Sequence, residues 1–352
     1  MKIFQLTKDP YSPNVNPYIA TLMDGVKAYD EQVEFGYGIE EFWDDRVLEY
    51  DILHIHWPQE MLPPHPERND VERAVKRLKE LRSRGVKVVV TCHNLKAHYA
   101  KGPAYDEIYD VAYRYADVIL HMGKWSKKEL ESKYSQAQHE LIPHHTYDTL
   151  FKQASREESI LKLKLNPERR YILCFGAFRD KEERNIADQI VAHYNSRGYD
   201  LLAPAYIKVV KRRNLIMLVF QWMRWKYICL TKKGIHIFGR FVSNDLLPCF
   251  FAAADIMIIQ RKKILNSGNL PLGFLMGNVV VGPKVGNVGE ILEETGNPTF
   301  DPDDPDSLFK AVDKALLLNK DCKGRENRLY AEQNFATKII ARKLDSIYKA
   351  CL

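Results

Sequence analysis

Four histidines have the residue type and the spacing to form a chemical site. They are His56, His93, His121 and His144, and each ends or follows an apolar run of strand length. The carboxyl ends of parallel strands meet at one edge of an α/β sheet, where such sheets bind ligands. Imidazole rings can exchange protons and hydrogen bonds there near neutral pH. For any one of the four, a structural hydrogen bond is an equally good interpretation.

His54 and His56 form a His-x-His pair on one face of a predicted strand, which could begin a metal site. No further histidine or carboxylate of metal-ligand spacing accompanies the pair in the sequence. We therefore predict no metal site, and a metal-dependent hydrolase built on His54 and His56 is kept as an alternative.

A second candidate site lies in the other half of the chain, at Asn266-Ser267-Gly268-Asn269. It follows the apolar run 255–260 and precedes a short apolar helix and a β-branched strand. Glycine lets the backbone approach a ligand closely, and the free N–H groups at a helix start suit a phosphate. An ordinary turn between strand and helix is the alternative.

Strands alternate with helices in both halves, which predicts an α/β fold with parallel, doubly wound sheets. The 352 residues are enough for two domains, and 45% hydrophobic residues can fill two cores. We predict domains at residues 1–150 and 169–335, joined by a polar linker at 151–168. The last segment, 336–352, is predicted to be a helix that could pack back on the first domain.

The composition favours a cytoplasmic protein with anionic ligands. A net charge of +6 and a pI near 8.8 fit phosphate-bearing ligands or anionic lipid. The six cysteines have no CxxC motif and no regular spacing, so we expect reduced thiols. The amino terminus is not expected to be a signal peptide, and no apolar run in the sequence is long enough to span a bilayer.

Between Lys208 and Lys233, basic residues flank and interrupt an apolar, aromatic helix predicted from Leu215 to Tyr227. Such a segment can lie on an anionic membrane surface with its tryptophans at headgroup depth. A core helix whose lysine and arginine side chains reach outward is the alternative. Nucleic-acid binding is not predicted, because no nucleic-acid-binding motif accompanies the segment.

The order and spacing of several motifs resemble a known enzyme family. The motifs are Phe175-Gly176 followed by Arg179 and Arg184, the segment Phe238-Gly239-Arg240-Phe241-Val242, and Asn266-Ser267-Gly268 followed by Gly277 and Glu290. Together they resemble the GT-B glycosyltransferases of the retaining family 4 type, in the branch that assembles bacterial polysaccharides. The resemblance implies two Rossmann-like domains facing each other across a cleft, and sugar transfer from a nucleotide-diphosphate sugar without a metal or other cofactor.

The resemblance also implies residue roles. His93 is the catalytic candidate, beside the transferred sugar and the donor phosphate. Arg179 would neutralise the diphosphate together with Lys181 or Arg184, because the family's usual second basic residue is absent. The remaining donor-binding candidates contact the phosphates, base or ribose, and they are Gly176, Gly239, Phe241, Val242, Asn266, Ser267, Gly268, Asn269 and Glu290. The acceptor-side candidates are His56, Trp57, Asn94, His121 and His144.

One departure from the family pattern affects the donor site. Many relatives carry two glutamates eight positions apart, whereas this chain has Ile264 and Leu272 at the corresponding places. We predict a glycosyltransferase that acts, with retention, on a saccharide or polyprenyl-diphosphate-linked acceptor in cell-surface polysaccharide synthesis, in the cytoplasm or at the inner face of the membrane. A nucleotide-sugar epimerase and a non-catalytic nucleotide- or glycan-binding homologue are the further alternatives.

Overall fold

The computed structural model forms two compact units, Met1–Tyr147 with Asn334–Leu352 and Asp148–Gln333. It describes residues 1–13, 15–97, 102–207, 215–238 and 242–352. Each unit is built around its own parallel sheet of six strands.

The strands of the described chain are β1 (Lys2–Leu6), β2 (Glu34–Tyr37), β3 (Ile52–Ile55), β4 (Lys87–Cys92), β5 (Val118–His121), β6 (Gln138–Leu141), β7 (Arg170–Leu173), β8 (Tyr199–Leu202), β9 (Ile235–His236), β10 (Ile256–Ile258), β11 (Val279–Pro283) and β12 (Thr299–Phe300). The α-helices are α1 (Tyr18–Tyr29), α2 (Arg68–Ser83), α3 (Pro103–Tyr115), α4 (Lys124–Leu130), α5 (Arg156–Lys162), α6 (Lys181–Tyr194), α7 (Leu215–Thr231), α8 (Leu247–Ala253), α9 (Asn269–Leu275), α10 (Gly286–Glu294), α11 (Pro305–Lys320), α12 (Lys323–Asn334) and α13 (Thr337–Cys351).

The sheet of the first unit has the strand order β2-β1-β3-β4-β5-β6. All residues of β3 and β5 are buried, as expected for central parallel strands covered on both faces. The chain leaves β1 toward β2 on one side and later returns to β3 on the other. The order therefore reverses between β1 and β3, where Leu6 pairs with Ile55, and this reversal marks the expected ligand crevice of the unit.

The second unit has the order β12-β11-β10-β7-β8-β9, again with parallel pairing. Its order reverses between β7 and β10, where Leu173 pairs with Met257. The loops after these two strands are the ones that carry the predicted donor-binding residues. The predicted fold class, with two doubly wound Rossmann-like domains, is thus confirmed at the level of each unit.

The chain between the two predicted domains differs from the prediction. Residues 151–168 contain α5, which belongs to the second unit and packs on α8. The Ser155 hydroxyl accepts a hydrogen bond from the Glu158 N–H at 3.2 Å, so a serine cap starts a short surface helix in this polar segment. The segment looked like a linker because a surface helix of this length shows little apolar periodicity.

The last helix, α13, belongs to the first unit and packs against α1. The approach is close at Gly25, where an added Cβ would lie 2.9 Å from the Cβ of Ala341. Tyr348 on α13 is fully buried and reaches the residues of β1 and β3.

Candidate functional site

Three of the four predicted histidines come together in the first unit, around Tyr18 of α1. The Tyr18 ring centroid lies 6.0 Å from that of His56, 5.1 Å from that of His93 and 4.6 Å from that of His144. The Trp57 ring stacks on His93 at 4.8 Å. His93 and His144 are partly exposed, whereas Tyr18 and His56 are buried beneath them.

A chain of hydrogen bonds connects this cluster to α13. The Tyr348 hydroxyl lies 2.6 Å from His54 Nδ1 and accepts from Gln5 Nε2 at 3.4 Å. Gln5 Oε1 in turn accepts from His56 Nε2 at 2.8 Å, and His56 Nδ1 lies 3.2 Å from His93 Nε2. With Gln5 in this orientation, His56 carries its proton on Nε2 and accepts from His93.

The cluster is electrically neutral at physiological pH. Burial lowers the pKa of His54 and of His144 to about 3, and it lowers the pKa of His56 and of His93 well below the usual value. Removing an imidazolium from water is unfavourable, and neighbouring imidazoles disfavour a second positive charge. The cluster can therefore exchange hydrogen bonds with hydroxyl groups, but it does not provide a cation for a phosphate.

His121 lies outside this cluster. Its Nε2 is 2.8 Å from His139 Nδ1, and the two rings stack at 5.1 Å. The strand register explains the difference, because His121 pairs with Cys92 and therefore points to the face opposite to that of Thr91 and His93. The structure thus separates His121 from the other acceptor-side candidates. Asn94 directly follows His93 in the chain, and its carbonyl accepts from the Tyr113 hydroxyl at 2.8 Å.

In the second unit, side-chain amides connect the two loops at the sheet reversal. Asn269 Nδ2 donates to the Phe175 carbonyl at 2.9 Å, and Gly176 has φ +95° at this close approach. Asn266 Oδ1 accepts from Asn287 Nδ2 at 2.7 Å, which ties the loop after β10 to α10. The structure therefore brings Gly176, Asn266 and Asn269 together. Ser267 and Gly268 lie between them, at the start of α9.

A buried ion pair between Glu183 and Arg261 positions a basic side chain at this site. Glu183 accepts the Arg179 N–H at 2.7 Å on one carboxylate oxygen and Arg261 Nε at 3.2 Å on the other. Arg261 also donates to the Ala177 carbonyl at 3.2 Å, and its side chain is only 15% exposed. The Arg261 guanidinium and the Arg179 backbone N–H, from different loops, thus share one carboxylate.

The other donor-binding candidates lie around these loops. Lys181 and Arg184 are on the first turn of α6, where Lys181 is exposed. Glu290 is partly buried on α10, one turn after Asn287. Val242 is partly exposed just after a gap in the described residues, and Gly239 and Phe241 lie outside those residues.

Several residues of both sites were missed from sequence. Arg261 lies three residues after β10, in the run Gln260-Arg261-Lys262-Lys263. A basic run near the carboxyl end of an apolar strand was therefore the available signal. Gln5 and Tyr18 gave no signal, because their importance depends on the pairing of β1 with β3 and on the packing of α1.

The His54–His56 pair does not have the geometry of metal ligands. His54 uses Nε2 for the Thr91 hydroxyl at 2.7 Å and Nδ1 for Tyr348, and both nitrogens of His56 are also in hydrogen bonds. Within the described residues, no group of three or more histidine, cysteine or acidic side chains is placed to hold a metal ion. The metal-dependent hydrolase is therefore not favoured.

Comparisons with known proteins address the fold. No protein-family model matches the chain. Sucrose-phosphate synthase from Thermosynechococcus elongatus superposes with a TM-score of 0.73 at 14% identity, covering 99% of this chain and 98% of that one. The Anabaena protein HepE in complex with UDP-glucose gives a TM-score of 0.67 at 14% identity, over 99% of this chain and 100% of that one. The chain has the glycosyltransferase GT-B fold.

Sequence comparison connects this GT-B chain with curated enzymes. Two proteins from Xanthomonas campestris, both named GDP-mannose:glycolipid 4-beta-D-mannosyltransferase, are 22% and 23% identical to it over 290 residues. The match covers 80% of this chain and 74% of each relative. The GT-B fold predicted from the order of the motifs is confirmed.

Proposed function

We propose that the chain is a hexosyltransferase that moves a sugar from a nucleotide-diphosphate sugar to a saccharide or lipid-linked saccharide. The observation that carries the proposal is the pair of loops at the sheet reversal of the second unit, where Glu183 binds the Arg261 guanidinium and the Arg179 backbone N–H beside the Asn266–Asn269 loop. This unit binds the donor. The first unit binds the acceptor with Trp57, Asn94 and His144.

The two sites have different chemistry, and each fits one substrate. The departing nucleoside diphosphate develops negative charge, which guanidinium groups and backbone N–H groups stabilise without a metal ion. Sugar hydroxyls need neutral donors and acceptors, which the uncharged imidazoles of His93 and His144 provide. His93 is the residue that contacts the transferred sugar.

The names of the curated relatives suggest the first substrates to test. They use GDP-mannose and a glycolipid, so GDP-mannose is our first donor and a polyprenyl-diphosphate-linked saccharide our first acceptor class. The anomeric configuration of the product then shows whether transfer occurs with retention or with inversion. From an α-linked donor, an α-mannoside results from retention, which the family resemblance implies, and a β-mannoside results from inversion.

The proposal is tested with the purified chain, GDP-, UDP-, ADP- and dTDP-sugars and a panel of octyl glycosides. One nucleotide sugar should raise the melting temperature, and nucleoside diphosphate should appear only when an acceptor is also present. Donor conversion without acceptor would instead identify an epimerase. Donor binding without any nucleoside diphosphate release would identify a non-catalytic binding protein.

We also propose that α7 contacts the cytoplasmic face of an anionic membrane. The helix has no acidic residue, and Lys226 lies 5.7 Å from the Trp222 ring and 5.8 Å from that of Trp225. Trp225 and Ile228 pack against the core of the second unit. The exposed large apolar side chains of the helix are Ile216, Met217, Leu218, Val219, Phe220, Trp222, Met223, Tyr227 and Leu230.

An interfacial position of α7 fits both its charge and its apolar surface. Such a helix inserts its apolar side chains at headgroup depth, and its basic residues attract anionic lipid. Among the described residues, no helix meets the length and hydropathy needed to span a bilayer. Lys208, Lys211, Arg212 and Arg213 precede the helix in sequence, but they lie outside the described residues.

Glutamate at Phe220 and Trp222 is expected to abolish membrane binding. These side chains are 60% and 58% exposed, so the double variant should fold normally while losing apolar contact and gaining repulsion from anionic lipid. We expect the affinity for vesicles of phosphatidylglycerol and phosphatidylethanolamine, measured by co-sedimentation, to fall at least tenfold. The matched control is glutamate at Leu161 and Leu317, which are 80% and 61% exposed on other helices of the same unit. Equal binding by both double variants would contradict the proposal.

A further inference from the structure

Glu60 has a buried carboxylate oxygen that nothing in the described chain satisfies. It lies on the short 3₁₀ helix Pro58–Met61, directly after β3, and its N–H donates to the Trp57 carbonyl at 2.9 Å. Its Oε2 is buried without a hydrogen-bond partner among the described residues. A buried polar atom without a partner costs free energy, so such atoms often mark a place where a ligand completes the hydrogen bonding.

The position of Glu60 is at the ligand-binding edge of the first unit. Trp57, one turn before it, stacks on His93, and Gln59 beside it accepts from the Tyr109 hydroxyl at 2.6 Å. Lys8, in the loop after β1, is close enough to influence the Glu60 carboxyl electrostatically. Glu60 therefore lies on the segment after β3, near the loop after β1, where the strand order of this sheet reverses.

We propose that Glu60 is the general base that activates the acceptor hydroxyl, a role that rests on the proposed glycosyl transfer. The hydroxyl oxygen forms a bond to the anomeric carbon while its proton passes to the Glu60 carboxylate. The bond between the anomeric carbon and the diphosphate oxygen breaks, and its electron pair leaves with the nucleoside diphosphate. Attack from the face opposite the leaving group inverts the anomeric centre, so this proposal departs from the retention that the family resemblance implies.

A base on the protein distinguishes this course from retention. When the acceptor attacks on the same face as the leaving diphosphate, the diphosphate itself can take the proton and no protein base is needed. When it attacks from the opposite face, the leaving group is out of reach and a carboxylate must accept the proton, as in inverting glycosidases. A β-mannoside formed from GDP-mannose would result from attack on the face opposite the diphosphate.

The protonation behaviour of Glu60 suits a base. Burial raises its pKa to about 7, and the nearby Lys8 ammonium opposes that shift. The other titratable groups toward this edge are the Tyr109 phenol and the neutral imidazoles of His56 and His93. Because only the ionised carboxylate accepts a proton, kcat/KM should fall about tenfold per pH unit below pH 7.

The test compares Glu60→Gln with wild type, using GDP-mannose and the octyl glycoside acceptors. We expect kcat to fall by roughly 100- to 10,000-fold, because a glutamine of the same shape cannot take the proton. The affinity for GDP should stay within threefold, since the donor is held by the second unit. Glu60→Asp should retain partial activity with an unchanged product, and an NMR spectrum of the wild-type product should show inversion.

The matched control is Glu107→Gln, the same chemical change at an exposed position on α3, which should leave kcat unchanged. Wild-type transfer together with less than a tenfold loss in Glu60→Gln would overturn the role of Glu60, and so would a product of retained configuration. Absence of transfer by the wild type with every donor would overturn the proposed function itself, and the base with it.

Discussion

Replacing Arg261 with methionine is expected to destabilise the second unit and to weaken donor binding together. The change leaves the Glu183 carboxylate, whose side chain is only 5% exposed, without its guanidinium partner. Removing one member of a buried pair costs about 3 kcal/mol, which urea unfolding would measure. Loss of one charge-assisted contact to the diphosphate should also weaken GDP binding by about 10- to 100-fold in a calorimetric titration.

A second variant separates these two effects. Adding Glu183→Gln to Arg261→Met removes the uncompensated charge, so stability should return to within about 1 kcal/mol of wild type. GDP affinity should remain low, because the lost arginine contact is not replaced. Arg197→Met is the matched control, since its pair with Asp313 is half exposed on both sides and should contribute little. Recovery of GDP affinity in the double variant would show that Arg261 acts only through Glu183.

The fold was predictable because several of its strands contain continuous apolar runs. Residues 88–91 and 279–281 are uninterrupted β-branched runs, as strands buried on both faces require, and the intervening segments have helical character. The segment 151–168 was harder, because α5 buries Ser159 and leaves most of its other side chains in solvent. Because α5 packs on α8, which is distant in sequence, the residues of α5 alone give little indication of a helix.

For the candidate site, the sequence predicts which residues lie at strand ends, but not which of them come together. Sequence shows that His93 and His121 both lie at the end of a strand, but the register of β4 with β5 decides that they occupy opposite faces. The same limit applies to Glu183 and Arg261, which are 78 residues apart and pair only because α6 follows β7 in the chain and β10 lies next to β7 in the sheet. Polar contacts between distant segments depend on three-dimensional placement that no local pattern contains.

Replacing Gly286 with alanine is expected to displace the loop that carries Asn266, Ser267 and Gly268. Gly286 has φ +55°, and an added Cβ would lie 2.8 Å from the Ile264 carbonyl oxygen and 3.0 Å from the Leu265 Cα. Both are backbone atoms, so the loop must move away from α10 and the Asn287–Asn266 hydrogen bond of 2.7 Å is lost. We expect a loss of about 2–3 kcal/mol in urea unfolding and roughly tenfold weaker GDP binding.

Gly296→Ala isolates the contribution of backbone strain, because Gly296 has a similar φ of +68° at the end of the neighbouring turn. Its added Cβ would meet only the flexible end of Lys323, at 3.7 Å. This control should lose about 1 kcal/mol from the left-handed conformation alone and should bind GDP as wild type does. The difference between the two variants measures the contact of α10 with the donor loop. Equal GDP affinities in both would mean that the loop after β10 does not hold the donor.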